Sequence, residues 1–524
     1  MPSGNRSQPT DVEPTQLAKL VSSLDTFLRR YEAVVLVAFS MAYFAATLAA
    51  CLRRPPWMDE VITLYDSRLP FHSMLALMKQ GVDSTPPLNY LLLKSLFLIT
   101  APSPFLVRLP AAIGFWGMLI CLYFFLRRFA PSIYALAGAL YPMVTFPYFY
   151  SSEGRPYGLL LGFMGLIVLC WQSRIRRPGS KAWLWILGIA SLGACFTHYY
   201  ALVLIYPVVL GECVRTLQRR KLDLGVWAAL LSGAVAIPVQ LPLIRGLAKF
   251  ALSDAARPAY FAHPSIKALF DTYHDLLFPA IFSISAVLCL ALVFRAAFLH
   301  GGQEKEDTSS LPEMVMAAGF VSIPTVILVL CLFTHGAYLI RYLAPAVLGF
   351  AIMLPIIVLR VARANWAGYA SVAALALIFP LNWYTLSWSA EAAGRQKFLE
   401  ISQTRNLPIA VAQGLDYMEL SYTAPEDLRK QLHYVSVGPD VAARYTDPTD
   451  ERIVSNLSGH VPFRVDTLDS FLEEHTEFIV FWRPAGHGSL LDVLAERGYR
   501  FELISHSGPY QLFYARKPES AAKP

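Results

Sequence analysis

Two adjacent carboxylates, Asp59 and Glu60, follow Trp57 at the end of a long apolar run, in the segment WMDE. Four further segments carry ionisable or aromatic groups in similar places. Asp83 precedes Pro86 and Pro87 in DSTPP. Glu153, Arg155 and Tyr157 lie in SSEGRPY, His198, Tyr199 and Tyr200 in THYYA, and Arg341 and Tyr342 in IRYLAP. Carboxylates, a histidine and two arginines gathered on one face make an active-site constellation. A positioned carboxylate can accept the proton of an attacking hydroxyl. Arginine forks can hold a departing phosphate, which leaves as a stable anion and needs no acid. The set suits transfer of a sugar from a lipid-phosphate carrier to a hydroxyl. Asp59 is then the base with Glu60 beside it, and Arg155 and Arg341 bind the donor phosphate. Asp83, Glu153, Tyr157, His198, Tyr199 and Tyr342 are the candidate substrate contacts.

Each group also has a plainer reading. Paired carboxylates at a membrane surface commonly face water, and Arg155 and Arg341 could snorkel to the interface. Glu153 could pair with Arg155 two positions on, and His198 could bond a neighbouring helix. The Pro86-Pro87 pair suits a turn. Tyr141, Phe146, Tyr148, Phe149 and Tyr150 suit an interfacial aromatic belt.

The elements that must position these residues are membrane helices. The chain has 524 residues, 55% hydrophobic and 15% charged. Its apolar residues fall in runs of about 20, the length that crosses a bilayer. This excludes a soluble enzyme, a nucleic-acid binder and a disordered scaffold. Eleven spans are expected, near 33–52, 105–126, 132–150, 157–173, 182–196, 199–214, 225–244, 279–299, 314–333, 343–360 and 366–386. Arg29-Arg30, Arg127-Arg128, Arg174 to Lys181, Arg215 to Lys221 and Arg360/Arg363 fall on one side under alternation. The positive-inside rule makes that side cytoplasmic. Residues 1–32 are then a cytoplasmic segment, 33–388 the membrane module and 389–524 an external domain. The candidate residues all fall at the external ends of spans. Ionisable groups at such depth are costly and tend to line a polar cavity. About thirty polar residues precede the first run, so no cleavable leader is expected.

The first external loop, about 53–104, holds two expected interfacial helices, one from Leu69 to Met78 and one in DSTPPLNYLLLKSLFLI. A second, about 245–278, is mixed polar and aromatic. The only linker-like internal stretch is GGQEKEDTSS at 301–310. From Glu391 onward 14 Lys and Arg stand against 19 Asp and Glu, a net of −5, leaving +12 for the preceding part. An acidic tail does not seek phosphate backbones, so no nucleic-acid partner is expected. Strand-like runs at 409–412, 434–437, 478–482, 499–505 and 510–515, with a helix at 489–497, make the tail a small α/β domain. The seven cysteines lie in or beside apolar spans, without a CxxC pair, and read as small buried hydrophobes.

In order along the chain, WMDE, DSTPPLNYLLL, SSEGRPYGLLL, THYYALVL and IRYLAP resemble a polytopic glycosyltransferase family. It is the bacterial branch of the GT-C fold related to protein O-mannosyltransferases and aminoarabinose transferases, in glycosyltransferase family 39. The resemblance covers about 50–350. It implies inverting transfer from a polyprenyl-phosphate sugar, a plasma-membrane location, and a lipid, glycan or protein acceptor. It implies Asp59 as general base, Asp83 as organiser of the site or of a divalent cation, and Arg155 and Arg341 on the carrier phosphate. Family members often carry His between that acidic residue and the prolines, where this chain has Thr85. Asp59, Asp83 and His198 could still hold a metal, and Mg²⁺ or Mn²⁺ would suit oxygen ligands better than zinc. The tail could grip an acceptor, pack over the catalytic loop, or only add stability. Two other functions fit the same residues less fully. A transporter or flippase of lipid-linked sugars would use the arginines without a base, and an adaptor would bind a partner through its tail.

Overall fold

The computed structural model describes residues 16–81, 83, 85–255, 262–298, 311–334, 336–387, 406–445, 448–461, 463–484 and 489–517. The expected boundary at 388–389 and the stretch 301–310 lie outside them. The first eight helices are α1 (Gln16–Arg30), α2 (Glu32–Arg53), α3 (Met58–Arg68), α4 (Phe71–Lys79), α5 (Leu88–Phe97), α6 (Pro104–Leu126), α7 (Ser132–Leu140) and α8 (Tyr157–Arg176).

Among the described residues, six helices are long and apolar enough to cross a membrane: α2, α6, α8, Ala201–Arg219, Leu224–Lys249 and Asn365–Ser387. The pair Leu311–Val321 and Ile323–Thr334 passes the same test together but bends by 53°. The remaining runs are shorter apolar helices at Ser132–Val144, Lys181–Thr197, Ala280–Ala296 and Ala346–Ala362. The 132–150 run is not one straight helix. Pro142 and Pro147 lack the N–H an α-helix needs, and the chain tightens into 3-10 turns at Tyr141–Val144 and Phe146–Ser151. These turns deliver Glu153 and Arg155 to the end of the bundle.

Helices α6 and α8 meet backbone to backbone. A Cβ on Gly114 would lie 2.5 Å from the Gly158 carbonyl oxygen, and one on Gly162 would lie 2.5 Å from that of Gly114. Small residues permit this approach, which larger side chains would prevent. The α6 start is set by Ser103, whose hydroxyl accepts from the Leu106 N–H at 3.3 Å, with Pro104 at the first helical position.

The first loop contains three helices, α3, α4 and α5, where two were expected. The segment containing WMDE is itself helical, and Asp59, Thr63 and Asp66 share one face of α3 at spacings of four and three.

The tail forms a six-stranded sheet of order β3-β2-β1-β4-β6-β5, from β1 (Ile409–Val411), β2 (Leu432–Ser436), β3 (Val465–Thr467), β4 (Glu477–Trp482), β5 (Arg500–Ser507) and β6 (Tyr510–Arg516). The first four are parallel, and β6 runs antiparallel to both β4 and β5. All of β1 is buried, as a central parallel strand covered on both faces should be. Val61 and Ile62 of α3 and Leu77 of α4 enter the same apolar cluster as Tyr417, Met418 and Tyr434 of the tail. Each such buried aliphatic side chain contributes about 1.5–3 kcal/mol. The tail is therefore docked on the first loop. All seven cysteines are free. Five are buried, but Cys213 is half-buried and Cys289 exposed, so the expectation of uniform burial fails for these two.

Candidate active site

Asp59 is the second residue of α3 and is nearly buried. Its Oδ2 lies 3.2 Å from Arg341 Nη1 and 3.6 Å from Arg155 Nε. Arg155 is itself tied down. It donates to Asp83 Oδ2 at 2.8 Å and Oδ1 at 3.1 Å, and to the Thr63 hydroxyl at 3.1 Å. Asp83 also accepts from the Thr85 N–H at 3.0 Å, from the Thr85 hydroxyl at 2.9 Å and from the Tyr90 hydroxyl. Burial acts to raise the Asp83 pKa, but Arg155 and these hydroxyls outweigh it and hold the carboxyl below its ordinary value. Burial opposes the Arg155 cation too, and Asp83 and Asp59 more than restore it. Arg341 keeps 23% of its side chain exposed, the most open of these charged groups.

Glu60 points elsewhere. Its two oxygens take Arg108 Nε at 2.7 Å and Nη2 at 2.6 Å in a buried fork, and the Gly154 N–H at 2.6 Å. It also accepts the Trp57 N–H at 3.3 Å. Burial alone would raise its pKa, but Arg108, Arg54 and the Gly154 N–H bring it below the ordinary value. Arg108 further donates to the Arg54 carbonyl at 2.8 Å and the Pro55 carbonyl at 3.2 Å, fixing the turn between α2 and α3. Arg54 stacks over Phe149 at 4.0 Å and reaches the Ser152 hydroxyl at 3.1 Å.

Glu153 is fully buried, and its Oε2 has no hydrogen-bond partner. Burial, with Glu60 nearby, pushes its pKa up to about 8, so the carboxyl is mostly protonated at neutral pH. The unfolded chain releases that proton near 4.5, so the native state binds more protons between about 4.5 and 8. Stability should therefore decline as pH rises through that window. Glu153→Gln, which mimics the protonated form, is expected to flatten the decline when thermal midpoints are measured from pH 5 to 9.

His198 is also buried. Its Nδ1 accepts the Tyr200 N–H at 3.2 Å, which assigns the ring proton to Nε2, and Nε2 has no partner. Burial, reinforced by Arg341 and Arg155, pushes its pKa down to about 3, so the ring is a neutral N–H donor. It sits in an aromatic group, with ring centroids 4.8 Å from Tyr342, 5.8 Å from Tyr157 and 5.8 Å from Tyr200.

Solved structures that match nearly the whole chain include two of one protein. They are ArnT from Cupriavidus metallidurans bound to undecaprenyl phosphate and the same protein in the apo state. The first has a TM-score of 0.53 and 14% identity, covering 94% of this chain and 99% of that one. The second has a TM-score of 0.55 and 13% identity, covering 93% and 98%. The fold is that of ArnT. No protein-family model matches, nor does any curated protein.

The ArnT fold is the GT-C architecture that the motifs implied, while family 39 is not singled out by these likenesses. Within it Asp59, Asp83, Arg155 and Arg341 join in one charged cluster. Tyr157, His198 and Tyr342 form the aromatic group beside Arg341. Three expectations need correction. Glu60, expected beside Asp59 as a second catalytic carboxylate, points away from it, with Arg108 and two backbone N–H groups on its oxygens. Glu153 does not pair with Arg155, which turns to Asp83 instead. Tyr199 packs with Met74, Met78, Tyr90 and Leu243, and Tyr200 takes the place beside Tyr342.

The expected metal set fails as well. Among the described residues no three His, Cys, Asp or Glu side chains are grouped to hold an ion. Both carboxylates of Asp59 and Asp83 face Arg155, and His198 presents a proton on its free nitrogen. These residues do not fit a divalent cation. Arg54, Thr63, Arg108 and Tyr90 were missed from sequence. Of these only Arg108 carries a clear signal, as the sole charge within Pro104–Leu126.

Proposed function

We propose that the chain is a multi-pass plasma-membrane glycosyltransferase that moves a sugar from a polyprenyl-phosphate donor to a hydroxyl acceptor. The acceptor is a lipid, glycan or protein at the outer face. The N-terminus is cytoplasmic and the α/β domain external. The observation that carries the reading is a carboxylate, Asp59, held between Arg341 and Arg155 in a fold seen elsewhere with undecaprenyl phosphate bound. Asp59 takes the proton of the acceptor hydroxyl. The hydroxyl oxygen attacks the anomeric carbon from the side opposite the phosphate, and the carbon–oxygen bond to phosphate breaks with its electron pair on the departing oxygen. Configuration is inverted. Arg341 receives the developing charge, since Arg155 is committed to Asp83. The phosphate competes with Asp59 for Arg341, so donor binding frees the base.

The test is turnover by purified, detergent-solubilised protein on a panel of polyprenyl-phosphate sugars, with and without EDTA. Release of free polyprenyl phosphate from at least one donor is expected. No release, together with movement of donor between proteoliposome leaflets, would replace the transferase by a flippase.

A further inference from the structure

The first N–H groups of a helix have no acceptor inside it and need one from outside. A Ser, Thr, Asp or Asn at the N-cap usually supplies it. In α3 the N-cap is Trp57, whose side chain is a donor only. The Trp57 N–H is satisfied by Glu60 Oε2 at 3.3 Å. The next, on Met58, is satisfied from the α/β domain: it donates to Glu419 Oε1 at 2.8 Å, across 361 residues of sequence.

Glu419 lies on the helix Gly414–Thr423 that follows β1, and it is buried. Its carboxylate faces the positive end of α3, where anions are favoured. The contact is held in register by apolar neighbours. Val61 and Ile62 are buried among tail residues, and the Tyr65 ring meets Tyr422 at 6.4 Å and Phe463 at 5.4 Å, both edge-on. Asp59 is the residue directly after Met58.

We propose that the α/β domain caps the helix that carries the base, with Glu419 as a positioning residue for Asp59. This rests on the transferase reading above for its catalytic half. The domain is then a working part of the site, neither an independent acceptor grip nor only a stability module.

The test compares Glu419→Gln and Glu419→Ala in the full-length detergent-solubilised protein, by hydrogen exchange at the Met58 amide and by kinetics on whichever donor the native protein turns over. Gln retains a carbonyl acceptor, so slow Met58 exchange and near-native kcat are expected. Ala removes it. Fast exchange is then expected, with kcat lower by about 10-fold and the donor KM within about two-fold of native. A merely structural role would not separate kcat from KM. Slow exchange and native kcat in Glu419→Ala, or equal losses in both variants, would overturn the proposal. Where Glu419→Ala does not fold, Glu419→Asp, which withdraws the carboxylate by one methylene, carries the same comparison. A native protein that turns over no donor sinks the transferase reading, and the exchange result then decides the cap alone.

Discussion

Asp59→Asn lowers kcat for polyprenyl-phosphate release by about 10²–10⁴-fold, the usual worth of a general base, while donor affinity holds or rises. Asn keeps the shape of the side chain on α3 but accepts no proton at neutral pH. It also withdraws the negative charge that Arg341 and Arg155 now face at 3.2 and 3.6 Å. Arg341 becomes freer to meet a phosphate, while Arg155 stays with Asp83. Steady-state kinetics together with donor binding to the purified variant separates the two effects. Near-native turnover in Asp59→Asn would remove Asp59 from the base role.

The largest loss of stability is expected at Arg108→Met. Arg108 and Glu60 are 1% and 2% exposed, and the substitution leaves the Glu60 carboxylate buried without its counter-charge. Stranding one partner of a buried pair costs about 3–5 kcal/mol. The carbonyls of Cys51, Arg54 and Pro55 lose their donor at the same time. A second change, Glu60→Gln, should restore part of the thermal midpoint because it removes the stranded charge. The exposed pair Lys430–Glu426, 3.4 Å apart, is the contrast. Its removal should change stability by no more than about 1 kcal/mol, since exposed ion pairs gain little. A midpoint for Arg108→Met equal to that of the Lys430 variant would contradict the assignment.

The apolar runs were legible because bilayer thickness fixes their length, although the 132–150 run breaks into 3-10 turns and the 314–333 run bends by 53°. That the motif residues share one end of the bundle was legible for the same reason, since alternation of spans puts them there. Partners within the site were not. Asp59 and Glu60 are neighbours in sequence, yet successive helical residues point about 100° apart, so one faces Arg341 and the other Arg108. Arg155 could have met Glu153 two positions away, but its bidentate partner is Asp83, 72 residues distant. Pairing of this kind depends on how α3, α5 and α8 converge, which no local pattern records. The metal expectation failed on the same ground, because arginines hold the carboxylates a cation would need. In the tail, β3 spans three residues and offers too little alternation to read.

The contact between α6 and α8 gives the site one side that cannot open. With the Gly114 and Gly158 backbones already touching, there is no layer of side chains along which these helices can slide. Arg108 and the Glu153–Arg155 segment are therefore mounted on a rigid wall. On the transferase reading proposed above, the donor's isoprenoid chain therefore finds no room between these two helices.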